Sequence, residues 1–261
     1  LAIGGAATAA GLARWPAFAS PNQAAGDVPQ LRGSEFDLAI GRSPVNFTGR
    51  ARMATTVNGS LPAPILRWRE GDTVTLRVAN HLRDASTSIH WHGIILPANM
   101  DGVPGLSFHG IAPDGMYEYK FKVHQNGTYW YHSHSGFQEQ VGVYGALVID
   151  AKDPEPFTYD RDYVVMLSDW TDEDPMRVFT KLKSQSDYYN YNQPTVFDFF
   201  RDASRDGMAA AIDKRKMWNE MRMSPTDLSD LSAQTLTYLM NGTTPAGNWT
   251  GLFTPGERVR L

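Results

Sequence analysis

Two histidine doublets, each with one residue between the histidines, constrain this chain more than any other feature. They are His90-Trp91-His92 and His132-Ser133-His134. On a β-strand, residues i and i+2 point to the same face, whereas on a helix they point about 200° apart. Each doublet therefore predicts a strand, over 87–92 and over 128–134. Two such strands side by side would bring four imidazoles onto one surface. Because imidazole suits copper, zinc, iron and nickel, the doublets predict a metal site.

Two other interpretations of the doublets stay open. Buried histidines can be satisfied core residues or cross-strand pairs, although two equal spacings argue against that. A zinc enzyme can also use His-X-His on a strand, but the hydrolase pattern His-X-His-X-Asp-His is missing because Gly93 and Ile94 follow His92. The remaining histidines occur singly and are interpreted as surface or turn residues: His81, His109 and His124.

The amino-acid composition excludes several kinds of site and argues against one class of partner. The chain has 261 residues, a net charge of -4 and no cysteine. Without cysteine it can form no disulfide framework, thiolate zinc site, thiol nucleophile or blue-copper centre, which needs a cysteine ligand. Its mild acidity, without clusters of lysine and arginine, argues against nucleic acid as a partner.

The N-terminal segment 1–19 predicts part of an export signal peptide. A run of small and apolar residues precedes Ala17-Phe18-Ala19, which fits a small-X-small cleavage site. The weakly hydrophobic Gly/Ala-rich run suits the twin-arginine route, although no arginine pair is present. The run is too short for a membrane span, so we expect a periplasmic protein; a buried N-terminal helix is the alternative.

Strand patterns predict an all-β first domain over residues 34–150. Its segments alternate between polar and apolar residues and are separated by Gly, Pro and Asn turns, which is typical of a β-sandwich or barrel. The clearest segments are Thr73–Val78, Tyr117–Val123 and Tyr144–Ile149.

A second domain is predicted over residues 157–261, after a polar connector that contains two prolines. Its first strand is expected at Tyr163–Trp170. Between residues 196 and 223 the apolar spacing becomes helical, which predicts an insertion. Met217 and Met221, four residues apart, are interpreted as a helix packing face; with Met223 they could instead bind copper(I).

A sequence repeat links the two domains. The repeated elements are Asn58-Gly59 with Gly71-Asp72 and Asn241-Gly242 with Gly256-Glu257. Repeats with nearly equal internal spacing predict duplicated domains of one fold. The second copy stops in mid-strand, which would leave an unpaired edge, so we expect the 261 residues to belong to a longer protein.

Together these motifs resemble the first cupredoxin domain of the multicopper oxidases. The resemblance rests on His90–Gly93, Met100–Gly105 and Gly127–His134, and segments 137–142 and 222–227 are similar to the copper-resistance protein A branch. It implies an all-β fold of cupredoxin-like Greek-key β-sandwich domains, the second incomplete and with a helical insertion. It also implies an exported, copper-dependent oxidoreductase that couples oxidation of Cu(I) or phenolic reductants to reduction of O2 to water.

The resemblance further implies roles for particular residues. His90 would bind the type 2 copper, and the type 3 pair would be bound by His92, His132 and His134. Asp101 matches a catalytic carboxylate that orients water and relays protons, but it could equally be the acid of an Asp-Gly turn. Trp91 and Trp130 are assigned to packing.

The departures from the family pattern concern the other half of the site. The type 1 copper needs a cysteine and histidines from the last domain, which also supplies the remaining ligands of the trinuclear cluster, and this chain contains neither set. We therefore expect the isolated chain not to turn over. A non-catalytic periplasmic protein that sequesters copper is the alternative function.

Overall fold

Residues 28–106, 108–186, 188–189, 195–221 and 235–261 are described by the structure, a computed structural model. The predicted signal peptide over 1–19 and the segment 222–227 lie outside these ranges.

Two mixed β-sheets form a sandwich that carries the histidine doublets. The five-stranded sheet contains, in spatial order, β1 (Gln30–Arg32), β4 (Ala63–Arg69), β9 (Tyr144–Asp150), β8 (Gly127–His132) and β6 (His90–His92). The four-stranded sheet contains, in order, β3 (Arg52–Val57), β2 (Glu35–Val45), β5 (Thr73–Asn80) and β7 (Met116–Lys122). Neighbouring strands are mostly not consecutive in sequence, as in Greek-key connections. The predicted all-β sandwich is confirmed, while the boundaries of the domains stay predictions.

The core between the sheets follows from strand alternation. On β5, Val74, Leu76 and Val78 are fully buried and the residues between them are not. Trp68 of β4 and Trp91 of β6 meet at the centre with ring centroids 5.5 Å apart, and both are almost fully buried. Both rings also contact Phe121 of β7 on the opposite sheet, at centroid distances of 5.7 and 6.2 Å, so these large aromatic side chains join the two sheets.

The repeated Asn-Gly pairs form two equivalent tight turns. Asn58 and Asn241 have φ of 52° and 50°, and the following glycines both have φ of 74°. The side-chain Oδ1 of Asn58 accepts from the Ala39 N–H, and that of Asn241 accepts from the Met166 N–H, each at 2.7 Å. Asparagine tolerates this left-handed conformation and glycine adopts it freely. The sequence repeat is therefore a repeat of local structure.

Residues after 150 form short strands and three helices. Strand β10 (Arg161–Asp162) pairs with β13 (Val259–Arg260), and β11 (Leu167–Trp170) pairs with β12 (Thr237–Met240). The strand predicted at Tyr163–Trp170 is thus limited to its last four residues, because Asn241 binds the backbone of residues 164 and 166.

The predicted helical insertion consists of two helices, α2 (Val196–Asp206) and α3 (Met208–Met221), which pack against each other. An additional helix, α1 (Pro175–Ser184), was not predicted. Several apolar side chains of the insertion are exposed, including Phe197 at 85%. Within the described ranges, no helix is long and apolar enough to cross a membrane.

A chain of ion pairs joins the sandwich to the later strands. Arg67 of β4, whose side chain is only 9% exposed, binds Asp150 at 2.6 Å and Asp162 at 2.9 Å. Asp162 also accepts from Arg260 at 2.7 Å. These hydrogen bonds, first that from Arg260, hold the pKa of Asp162 below its ordinary value.

We expect Asp162→Asn to lower the free energy of unfolding at neutral pH by about 1–2 kcal/mol, because it removes the charge shared by two guanidinium groups. Since folding depresses the pKa of Asp162, its contribution is present above the ordinary value of 3.8 and is lost as the pH falls below it. Thermal unfolding from neutral pH down to about pH 3 should show the difference from wild type shrinking. Asp153→Asn, in the exposed connector, is the control. A difference that stays constant down the titration would contradict the role of this ion pair.

Candidate metal centre

The two histidine doublets meet through the register of β6 and β8. These strands are antiparallel, with His90 opposite His132 and His92 opposite Trp130. Trp91, between the histidines of the first doublet, lies opposite Tyr131, the residue before His132, and both are fully buried in the core. Because neighbouring strand residues point to opposite faces, the histidines project from the outer face of the five-stranded sheet. The strand predictions are confirmed over residues 90–92 and 128–132, but the first predicted strand begins at His90 and not at Thr87.

Four imidazoles cluster on this outer face. Ligand-capable nitrogens of His90, His132 and His134 all lie within 4.8 Å of one another. His92 joins them, since its Nδ1 lies 3.2 Å from His132 Nε2. The structure therefore brings together all four histidines that the sequence singled out.

His134 reaches the cluster from a loop rather than from a strand. Strand β8 ends at His132, so the predicted strand over 128–134 is two residues too long. The His134 N–H donates to Ser88 Oγ at 3.0 Å, which replaces the strand hydrogen bonding. Gln138 accepts from the hydroxyls of Thr87 and Ser133 and thereby ties the loop to the segment before β6.

Asp101 contacts the cluster mainly through its backbone. His90 Nδ1 lies 2.8 Å from the Asp101 carbonyl oxygen and 3.4 Å from the carboxylate Oδ1. The carbonyl can only accept, so His90 carries its proton on Nδ1 and directs Nε2 at the other histidines. The following Gly102 has φ of +75°, and an added Cβ would lie 1.8 Å from the Ile89 carbonyl oxygen.

Trp130 lies against the clustered histidines, not in the core. Its ring stacks on His132 with centroids 4.0 Å apart at 12°, and on His92 at 5.0 Å and 30°. Trp91 is fully buried, as expected of a packing residue. The two tryptophans assigned alike from sequence therefore occupy opposite faces of the sheet.

Glu139 contacts the cluster, although no sequence pattern predicted that contact. Its Oε2 accepts from His132 Nδ1 at 2.6 Å, and this hydrogen bond holds the pKa of the Glu139 carboxyl below its ordinary value. The residue lies within the 137–142 segment that carries the copper-resistance resemblance. Its place five residues after His134 was the only signal for it, and spacing in a loop does not predict side-chain contact.

Partial desolvation lowers the pKa of His92 and of His134 below the ordinary value of 6.5, and the neighbouring imidazoles of His132 and His90 lower it further. Both side chains are therefore neutral near pH 7, with a lone pair free for a metal ion.

The residues present fit copper. Clustered neutral imidazoles suit copper(I) and copper(II), and two of the histidines have the hydrogen-bonded Nδ1 that is usual for metal-ligating histidines. Among the described residues, His90, His132 and His134 form the group of histidines and acids that lie close enough together to hold one ion. The histidines that occur singly, His81, His109 and His124, are not part of this group. Met217 is 49% exposed, which does not support the packing-face interpretation; the side chain of Met221 and all of Met223 lie outside the described part.

Residues 39–154 match the multicopper oxidase domain family. Most strands of the two β-sheets and the histidine pair at the β6–β8 register lie within the matched range. The chain belongs to the multicopper oxidases.

Within that family the chain is similar to copper resistance proteins, as its resemblance implied. It is 68% identical over 251 residues to the Copper resistance protein A homolog of Pseudomonas syringae pv. tomato strain DC3000, covering 96% of this chain and 42% of that protein. It is 67% identical over 231 residues to Copper resistance protein A of Escherichia coli, covering 88% and 38%. The chain thus spans about two fifths of the length of these curated relatives.

Solved structures support the cupredoxin-like fold. The laccase from Botrytis aclada matches with a TM-score of 0.53 and 38% identity, over 60% of this chain and 30% of that chain. Fet3p, described as a multicopper oxidase that functions in iron import, matches with a TM-score of 0.52 and 34% identity, over 57% and 28%.

We expect Gly102→Ala to weaken copper binding by about 10- to 100-fold, the usual effect of disturbing a partner of a ligand. The added methyl group would collide with the Ile89 carbonyl and push the Asp101 carbonyl away from His90. Gly105→Ala is the matched control, because Gly105 has a similar φ of +85° but open space around the new Cβ. Copper(I) titration against a chelator should separate the two variants; equal losses would show that backbone strain alone is responsible.

Proposed function

We propose that the protein is an exported multicopper oxidase of the copper-resistance type, which oxidises Cu(I) or phenolic reductants and reduces O2 to water. The observation that carries the proposal is the cluster of four imidazoles built by the β6–β8 register. The high identity to copper resistance proteins supports the choice of branch.

Each histidine has a proposed place in the copper set. His90 binds the type 2 copper, and His92, His132 and His134 bind the type 3 pair. Copper, when bound, supplies electron transfer to dioxygen. A type 1 copper needs a cysteine ligand, which these 261 residues lack, so its ligands have to come from other residues. The remaining ligands of the trinuclear cluster have to come from residues other than these four histidines. That the 261 residues do not turn over by themselves stays a prediction.

Asp101 is proposed as the carboxylate that supplies protons. Reduction of one O2 to two water molecules takes up four electrons and four protons, so a proton donor must lie beside the metals. The Asp101 side chain is 36% exposed and its Oδ1 lies 3.4 Å from His90, so it contacts both solvent and the ligand cluster. Its backbone carbonyl orients His90 at the same time.

Export to the periplasm, by the twin-arginine route, belongs to the same proposal. It rests on the sequence of residues 1–19 and on copper as the proposed metal, since oxidation of Cu(I) for copper resistance suits a compartment outside the cytoplasm. The proposed partners are O2 and a small reductant or Cu(I), with no nucleic acid.

Oxygen uptake tests this function. The protein expressed from its complete coding sequence and loaded with copper should consume oxygen when a catechol or Cu(I) is added. Full copper loading without oxygen uptake would overturn the oxidase and favour the sequestering alternative. In that case copper protection of cells expressing the protein would persist without turnover.

We expect His132→Ala to lower the copper content and to reduce oxygen uptake more than about 100-fold, beyond the range typical of outer-shell changes. The blue absorption of a type 1 copper should remain, because His132 is assigned to a different copper. His124→Ala is the control, since His124 is an exposed histidine outside the cluster. Circular dichroism should confirm that both variants fold. Normal oxygen uptake by a folded His132→Ala variant would refute the assignment.

A further inference from the structure

The two histidines paired across β6 and β8 are each held at Nδ1 by an acidic residue from a loop. For His90 the acceptor is the backbone carbonyl of Asp101, at 2.8 Å. For its register partner His132 the acceptor is the carboxylate of Glu139, at 2.6 Å. We propose that Glu139 is a positioning residue that fixes the tautomer and the ring orientation of His132 for copper binding. This inference rests on the proposed metal site.

The carboxylate is held in place by the loop that follows β8. The Ser133 N–H donates to the Val143 carbonyl at 3.0 Å, and the Val143 N–H donates to the Gln138 carbonyl at 2.9 Å. The Gly142 N–H donates to the carbonyl of Glu139 itself at 3.1 Å. The Gln138 side chain adds bonds to Ser133 and to the Ser86 carbonyl. The backbone of Glu139 is therefore fixed by a compact turn rather than by its own side-chain contact.

The contact determines which nitrogen of His132 is free. An ionised carboxylate only accepts hydrogen bonds, so Nδ1 must carry the proton and Nε2 keeps its lone pair. Nε2 is the atom that faces the cluster, 3.2 Å from His92 Nδ1. The other tautomer would place a proton on Nε2 and prevent it from binding a metal ion.

Trp130 and Glu139 restrain the same ring in different ways. Trp130 stacks on the face of His132, which limits tilting of the ring. Stacking does not distinguish the two edges of an imidazole, so it permits a flip of the ring that puts carbon atoms where the nitrogens were. The hydrogen bond at the edge does distinguish them. Each restraint is thus incomplete without the other.

An ordinary surface ion pair is the competing interpretation, and the burial argues against it. The Glu139 side chain is 46% exposed, but the His132 side chain is only 6% exposed. A pair between two exposed groups contributes about 0–1 kcal/mol and tolerates substitution. Here the acceptor serves a buried ring whose Nδ1 has one further contact, the Ser133 carbonyl at 3.2 Å, which is longer and belongs to the neighbouring residue.

The test uses copper(I) as the probe, titrated against a chelator, on the protein expressed from its complete coding sequence. Glu139→Leu removes the acceptor and should weaken copper(I) binding about 10- to 100-fold. Glu139→Gln keeps an amide oxygen at the same position and should stay within a few-fold of wild type. Glu118→Leu on β7 is the matched control, because Glu118 is 49% exposed and contacts Arg77 at 3.6 Å, away from the cluster.

A second measurement reads the tautomer without copper. In the metal-free protein with ¹⁵N-labelled histidine, the resonances of His132 are identified by their absence in His132→Ala. Wild type and Glu139→Gln should show the Nδ1–H form, and Glu139→Leu should show a mixture of tautomers. Thermal unfolding checks that each variant is folded.

The outcomes separate this inference from the metal site itself. Wild-type affinity and an unchanged tautomer in Glu139→Leu would overturn the positioning role, as would equal losses in the leucine and glutamine variants. If His132→Ala also binds copper(I) normally, the proposed metal site is wrong. If His132→Ala loses binding while Glu139→Leu does not, only the role of Glu139 fails.

Discussion

The antiparallel register that sets His90 opposite His132 is the constraint on which the site depends. A slip of either strand by one residue would turn its histidines inward and its buried aromatic residue outward, because strand side chains alternate. Trp91 and Tyr131 prevent that shift, since they fill the centre of the core and are too large to move without opening it. The hydrophobic core therefore determines where the clustered histidines lie.

On the outer face of the five-stranded sheet, the imidazoles and the groups that hydrogen-bond them come from different parts of the chain. The imidazoles belong to β6, to β8 and to the residues just after β8. The groups that orient them come from loops: the turn at Asp101 and the segment around Gln138 and Glu139. Strands supply accurate positions for ligands, and loops supply groups that can be adjusted around them. Gly102 belongs to the second group, because its close approach to the Ile89 carbonyl sets the position of the turn at Asp101.

Much of this arrangement could be predicted from the sequence, for a physical reason. His-X-His, alternating strands and Asn-Gly turns are local patterns whose geometry depends on a few neighbouring residues. The ends of the strands were less predictable, because they depend on side-chain hydrogen bonds. Ser88 accepts from the His134 N–H, and the Asn241 side chain binds the backbone of Val164 and Met166. Glu139 contacts the cluster because a loop folds back in three dimensions, which no local pattern encodes. Trp130 lies two residues before His132 on β8, so strand alternation alone would have placed it on the histidine face. Helical periodicity likewise did not predict that Met217 and Phe197 are exposed. It predicts which residues share one face of a helix, but not whether another part of the protein covers that face.

The two Asn-Gly turns also bear on the order of events during folding. Each closes a bridge between residues three positions apart, Val57 with Ser60 and Met240 with Thr243. Short hairpins form within about 1–10 μs, whereas contacts between distant residues must first overcome the entropy of closing a long loop. The pairing of His90 with His132 is of the second kind. The turns are thus early structures, the ligand cluster is a late one, and a chain able to hold copper with all four histidines has already completed most of its folding.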